Sequence, residues 1–296
     1  MTPLSALLRL AWNAPFYRRR WGHPPAGDGG EALSSLPVVT PGEWQAAIRR
    51  DPSHVLVGTP GLWTLVTCAG HPVWTPVAHG DIAAAAGHAA DALRRTGIRD
   101  GDRIAAVLPA APSSWNALSY LVVGSDLAVE FLSVSLETVR FKLDLVAFPF
   151  AQRLDALLTS RRAAEELAQI SGPLPAVART VFYSDGAATE NLDVDLLAVP
   201  GCLAPIGRCR GGAWHLDPGV VFAEILTADD RAGRPAIHSL ATAPSGVEGT
   251  LLVTSFTHAA PLVRLDTGLR ARAPLPAPCP CGDAWPRVLL ADLAVS

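Results

Sequence analysis

The stretch that decides the fold runs from residue 81 to 108: Asp81-Ile82-Ala83-Ala84-Ala85-Ala86-Gly87-His88-Ala89-Ala90-Asp91-Ala92-Leu93-Arg94-Arg95-Thr96, then Gly97-Ile98-Arg99-Asp100-Gly101-Asp102, then Arg103-Ile104-Ala105-Ala106-Val107-Leu108. Asp81 reads as the cap of an alanine-rich helix over residues 82–96. The Gly/Asp turn ends that helix, and residues 103–108, apolar from Ile104 on, read as a buried strand. The same alternation continues downstream, with a helix over 113–123, a strand over 128–134, a helix over 136–143, a strand over 145–150 and a helix or two over 151–170. Strands alternating with helices of these lengths imply an α/β fold with a mainly parallel sheet covered on both faces.

Upstream, residues 61–68 and 73–78 read as two strands around Ala69-Gly70-His71-Pro72, and residues 1–50 as helix, loop, helix. Thr40-Pro41-Gly42-Glu43 opens the second of these helices with a Thr cap, a proline in the first turn and Glu43 at the capping-box position. Beyond Gly172 the character changes to shorter strands, at 181–183, 220–226 and 249–254, between Gly/Pro turns. The expected organisation is a helical segment over 1–60, an α/β core over 61–178 and a smaller β-rich part of the same large domain over 179–296.

Of 296 residues, 49% are hydrophobic and 17% charged, the balance of a chain that buries a core. A net charge of −3 gives no electrostatic case for nucleic acid. The longest apolar stretch, 118–136, is broken by Asp126 and Glu130, so no membrane span is expected. The first 21 residues carry their charges after their apolar residues, the reverse of a secretory signal. Together with thiols kept apart from any disulfide framework, this predicts a cytoplasmic protein.

Three of the five cysteines fall in one pattern with a histidine: Cys209 and His215 (C-x5-H), then Cys279 and Cys281 (C-x-C-G). Thiolates and an imidazole are the donors of a tetrahedral zinc, and four protein ligands with no open position make a structural site. The proline-rich loop 274–280 is rigid enough to present the second pair.

Several segments resemble, in order and over nearly the whole chain, the phenylacetate–CoA ligases and their relatives in the adenylate-forming superfamily. Asn13-Ala14-Pro15-Phe16-Tyr17-Arg18 is similar to the family's entry segment, and Gly97–Arg103 to its G-v-r-x-G-D-r turn. Gly249-Thr250-Leu251-Leu252-Val253-Thr254, Pro261-Leu262-Val263-Arg264 and Cys279-Pro280-Cys281-Gly282 follow its GeLvvT, PliR and CpCG blocks. The resemblance implies the large N-terminal domain of an acyl-adenylate-forming enzyme, with zinc as a clamp and the C-terminal lid domain absent.

The chain departs from the family where ATP is handled. The family's Ser/Thr/Gly-rich phosphate loop corresponds to Leu65-Val66-Thr67-Cys68-Ala69-Gly70-His71-Pro72, and its Y-G-x-x-E motif to the segment around Gly201 and Cys202. The aspartate that holds the ribose is replaced by Leu269, with Asp266 as a stand-in from the other side of the turn. Lys142, the sole lysine, lies in the N-terminal half and cannot be the family's catalytic lysine. ATP and Mg²⁺ are therefore not expected as cofactors.

What remains open is the chemistry. Cys202 is a candidate nucleophile with His71 or His79 as its base, and Glu130 a candidate acid or base whose pKa burial would raise. Trp115, Tyr120, Phe131 and Tyr183 fall around the family's acyl pocket, where they would line a site or simply build core. Three functions follow: a repurposed, ATP-independent homologue acting on a small carboxylic or carbonyl-bearing metabolite in specialised biosynthesis; a non-catalytic binding or scaffold protein; or a truncated ligase that needs a separate lid. The expected partners are a small-molecule substrate or ligand, a carrier protein or partner enzyme, and in one reading a second copy of the chain.

Overall fold

A computed structural model describes residues 2–68, 71–108, 122, 124–137, 154–170, 177–184, 194–199, 201–202, 204–228, 235–274 and 278–291. Four short helices open the chain: α1 (Pro3–Trp12), α2 (Pro15–Trp21), α3 (Gly29–Ser34) and α4 (Pro41–Arg50). Three begin with Pro at the first turn, where a missing N–H costs nothing. Thr40 and Glu43 form the expected capping box, each side chain accepting from the other's backbone N–H.

Strands β1 (Leu62–Cys68) and β2 (His71–Val77) pair as an antiparallel hairpin, in register up to Cys68 opposite His71. Helix α5 (His79–Arg95) follows, then strand β3 (Arg103–Leu108). Asp81 sits inside the helix rather than before it. Its carboxylate reaches back to accept the Ala78 N–H at 3.0 Å, because α5 starts at His79. Gly97, with φ of 88°, supplies the left-handed residue that ends the helix.

β3 is the centre of a parallel sheet with β4 (Glu130–Ser135), β5 (Leu154–Thr159) and β6 (Val177–Ser184). Two-residue strands β7 (Leu196–Leu197) and β8 (Ile206–Gly207) extend it, the last one antiparallel. β5 occupies part of the segment read from sequence as helical; only α6 (Arg161–Ile170) is a helix there. Leu154, Ala156, Leu157, Leu158 and Thr159 are all buried. Burial on both faces, and not intrinsic propensity, made that run a strand. β6 likewise joins the parallel sheet, although its Val181–Tyr183 core was grouped by sequence with the C-terminal strands. The expected helices over 113–123 and 136–143 lie almost wholly outside the described residues, and the strand over 145–150 does so entirely.

The C-terminal part is an antiparallel sheet ordered β11-β10-β12-β13-β14-β9. Its strands are β9 (Trp214–His215), β10 (Val221–Leu226), β11 (Ile237–Ser239), β12 (Glu248–Ser255), β13 (Leu265–Arg272) and β14 (Arg287–Ala291). Gly249 is required on β12, since a Cβ there would lie 2.0 Å from the Leu226 carbonyl oxygen. Among the described residues, no helix is long and apolar enough to cross a membrane.

The N-terminal helices share one apolar core with the antiparallel sheet: Leu8, Tyr17 and Trp44 pack with Val253, Leu262 and Leu265. Polar ties lock this arrangement. The Tyr17 hydroxyl donates to Pro261 O at 3.0 Å and accepts from Val263 N–H at 2.9 Å, and its burial pushes the phenol pKa up. Val39 exchanges hydrogen bonds with Arg264 O and Asp266 N–H at the edge of β13.

Arg264 itself is 2% exposed and adopts φ of 52°. Its Nε and Nη2 donate to the two Glu224 carboxylate oxygens at 2.9 and 2.7 Å, and Nη1 donates to Leu36 O at 2.8 Å. Removing one partner would leave a buried, uncompensated charge. Glu224→Ala should therefore cost about 3–5 kcal/mol, read as a lower urea midpoint with unchanged slope; a loss below about 1 kcal/mol would contradict this role.

Candidate functional site

The four residues of the cysteine/histidine pattern converge. Their ligand atoms all lie within 4.8 Å of one another. Cys209 Sγ is 3.6 Å from Cys279 Sγ, and Cys281 Sγ is 3.2 Å from Cys279 Sγ and 3.3 Å from His215 Nε2. A zinc tetrahedron with bonds of about 2.3 Å would place its sulfurs somewhat under about 4 Å apart, so these separations suit four-coordination.

Local backbone explains the convergence. Gly212 N–H donates to Cys209 O and Gly282 N–H to Cys279 O, so each cysteine opens a tight turn. The first turn leads into β9, and Arg287 on β14 lies opposite His215. A metal here would pin β9 to the loop before β14.

The thiols do not share charge evenly. Burial opposes a thiolate at Cys279, but a hydrogen bond from the Cys281 N–H, with His215 and the other thiols, outweighs it and brings the pKa down to about 6. Cys281 is pushed up to about 11 by burial and by its neighbours' sulfurs. A cation is what would let all three ionise together, with release of protons.

His215 supplies an independent sign of a ligand. Its Nδ1 is buried with no hydrogen-bond partner, and Asp283 Oδ2 lies 3.8 Å away. A histidine that binds metal through Nε2 aims its other N–H at such a carboxylate. Asp283 is held by the Trp285 N–H at 2.9 Å and by Arg95, whose Nη2 is 2.7 Å away. Burial alone would raise the Asp283 pKa, but these partners outweigh it and lower it. Arg95 also lies 4.2 Å over the Trp285 ring. The cluster could therefore hold a metal ion, with Asp283 and Arg95 as its outer support. Sequence reading missed both, because Arg95 comes from the end of α5.

The remaining candidates do not assemble. His71 is exposed at the end of the β1–β2 hairpin. Cys202 is 7% exposed, and burial, with the nearby Asp217 charge, pushes its thiol up to about 12, so it stays protonated and unreactive. Cys202 borders a small cavity with His88 and Asp217, not with His71. Glu130 corrects its own expectation. It is the first residue of edge strand β4, its side chain is 72% exposed, and it pairs with Arg103 Nε at 2.8 Å. At the edge of the described sheet its side chain turns to solvent.

Phe131 and Tyr183 belong to the core between the parallel sheet and α5, while Trp115 and Tyr120 lie outside the described residues. At the positions that the sequence comparison with the phenylacetate–CoA ligase family set beside its nucleotide motifs, Cys68 donates to Asp266 O at 3.3 Å and burial raises its pKa. The Asp266 carboxylate accepts from Gly268 N–H at 2.8 Å, and Leu269 is 5% exposed.

No family model matches the chain, and no curated protein does. Solved structures do. An open conformation of 2-hydroxyisobutyryl-CoA ligase, in complex with 2-HIB-AMP and CoA, superposes with a TM-score of 0.74 at 18% identity, over 97% of this chain and 71% of that one. The same enzyme in its postadenylation state with R3-HIB-AMP gives 0.72 at 16% identity, over 98% and 65%. The chain thus spans 65–71% of the length of these ligases. At such identity the likeness establishes the fold alone, which this chain shares with those structures.

The purified chain should carry one equivalent of metal. Cys281→Ser should lose it, and Asp283→Asn should weaken it about 10- to 100-fold. Elemental analysis and chelator competition read both; full retention by Cys281→Ser would refute the ligand set.

Proposed function

We propose that this chain is a relative of the phenylacetate–CoA ligases that has kept their large domain and a structural zinc clamp, and has given up ATP chemistry. It acts on a small carboxylic or carbonyl-bearing metabolite without adenylating it. The observation that carries this reading is the character of the described positions that correspond to nucleotide motifs. Adenylation brings an acyl carboxylate against a phosphate, so it needs donors and cations aimed at the developing charge. The corresponding places here hold a buried Leu269, a buried neutral Cys202 and a Cys68 thiol bonded to a backbone carbonyl. The nearby guanidinium, Arg264, is consumed by Glu224 and Leu36.

The zinc assignment rests on the donor set: three thiols and one imidazole, with a carboxylate behind the imidazole. Such a site has no place for substrate, and its contribution is to hold β9 and β14 together.

A scaffold reading, in which the domain binds a partner and turns nothing over, draws support from Phe131 and Tyr183. Both pack into the core beside α5.

Pyrophosphate exchange separates these ideas from a working ligase. The purified chain with ATP, Mg²⁺ and a broad panel of carboxylic acids should give no exchange above background. Acid-dependent exchange would sink the proposal, and a thermal shift with one acid and no nucleotide would favour the enzyme over the scaffold.

A further inference from the structure

Asp81, His88 and Arg95 recur every seven residues along α5, so they share one face of the helix. Each reaches across to the antiparallel sheet or its loops: Asp81 to His258, His88 to Asp217, and Arg95 to Asp283. Arg95 serves the metal cluster. The other two border a trough of about 560 Å³, the size of a small-molecule site.

The trough has matched walls. On α5 the stripe is Asp81, Ala84, Ala85 and His88; on α1 it is Ala6, Leu7 and Leu10. Both follow the i, i+3, i+4 spacing of one helical face. The floor is the junction of β10 and β12, where Phe256 N–H donates to Val220 O at 2.9 Å. Ala6 and Ala84 are exposed although apolar, which leaves the middle of the trough open and dry in character.

The ends are different. His258 Nδ1 lies 2.5 Å from Asp81 Oδ1, and Asp81 also accepts the His258 backbone N–H at 3.0 Å. His88 Nδ1 lies 2.5 Å from Asp217 Oδ2. The Asp81 and Asp217 side chains are only 3% and 14% exposed. A carboxylate accepts and cannot donate, so each Nδ1 carries its proton inward and each Nε2 is left for a ligand. A rise of about 1.5 Å per residue separates positions 81 and 88 by roughly 10 Å along α5.

We propose that this trough binds an elongated aliphatic molecule with an oxygen function at each end, an α,ω-hydroxy acid or dicarboxylic acid. Its chain lies along the alanine and leucine walls, and each end is hydrogen-bonded to one Nε2. A hydroxyl donates to a neutral imidazole and a carboxylate accepts from a protonated one, so the same two histidines serve both ends. A single-ended fatty acid would leave one imidazole without its partner once water is displaced. No guanidinium is among the described residues that line the trough. The trough shares no lining residue with Cys68, His71 or Leu269, so occupancy here is independent of whether nucleotide chemistry survives.

Calorimetric titration of the full chain with 8-hydroxyoctanoate and suberate, against octanoate and 1-octanol, tests this. The two-ended probes should bind at least tenfold more tightly than the one-ended ones. His88→Gln and His258→Gln should each bring suberate down to the level of octanoate. Ala84→Phe, at an exposed helix position, should block all probes while metal content and near-ultraviolet circular dichroism stay unchanged. Histidine ¹⁵N shifts should move at both Nε2 atoms on adding suberate to the wild type. Equal affinity for one- and two-ended probes, unchanged suberate affinity in both histidine variants, or no heat and no histidine shift with any probe would each overturn the proposal.

Discussion

The Arg264–Glu224 pair is the constraint on which the rest of the molecule hangs. A guanidinium buried this deeply is tolerated only when its donors are nearly all met. Glu224 on β10 takes two of them, and the carbonyls of Leu36 and Ser34 take Nη1. One side chain thus joins the N-terminal helices, the central strand pair and the start of β13. Its left-handed backbone stores strain of about 1–3 kcal/mol, which persists only because these contacts fix the residue from three directions. Tyr17 and Val39 seal the same joint from the N-terminal side, and Leu8, Trp44 and Leu265 fill the space around it.

α5 is the second organising element, and it works through both of its faces. Ala85, Ala89 and Leu93 pack into the core on the parallel sheet. The opposite duty falls to Asp81, His88 and Arg95, which fasten the helix to segments of the C-terminal part. Arg95 places Asp283 behind His215, so the geometry of the cysteine/histidine cluster depends on where α5 ends. A helix chosen for small apolar packing therefore also sets the position of the polar groups around two separate sites. The β1–β2 hairpin pairs to its last described residues, and the Cys68 thiol donates to a backbone carbonyl.

Much of this was legible along the chain. The capping box at Thr40 and Glu43 and the helix and strand around Gly97 depend on near neighbours in sequence, and they stand as read; Cys209, His215, Cys279 and Cys281, picked out by their donor chemistry, come together as a cluster that could hold a metal ion. The errors have a common cause. Leu154–Thr159 has helix-forming residues but lies between β3 and β6, where burial on both faces overrides propensity. Glu130 sits in an apolar run, yet the run is an edge strand and its first residue faces water. The seven-residue recurrence at 81, 88 and 95 was visible as spacing. Nothing local showed that Asp217, His258 and Asp283 would meet it.

Sequence by itself determined which residues would turn, cap and alternate, because those properties are set within a few residues by backbone geometry and side-chain chemistry. Tertiary structure decided partners and exposure. Whether Cys202 is a nucleophile or a buried neutral thiol, and whether Glu130 is buried or in solvent, depends on segments far away in the chain. So does the pairing of Asp81 with His258 across 177 positions. Desolvation and charge pairing act through space, and only the assembled sheets fix those distances.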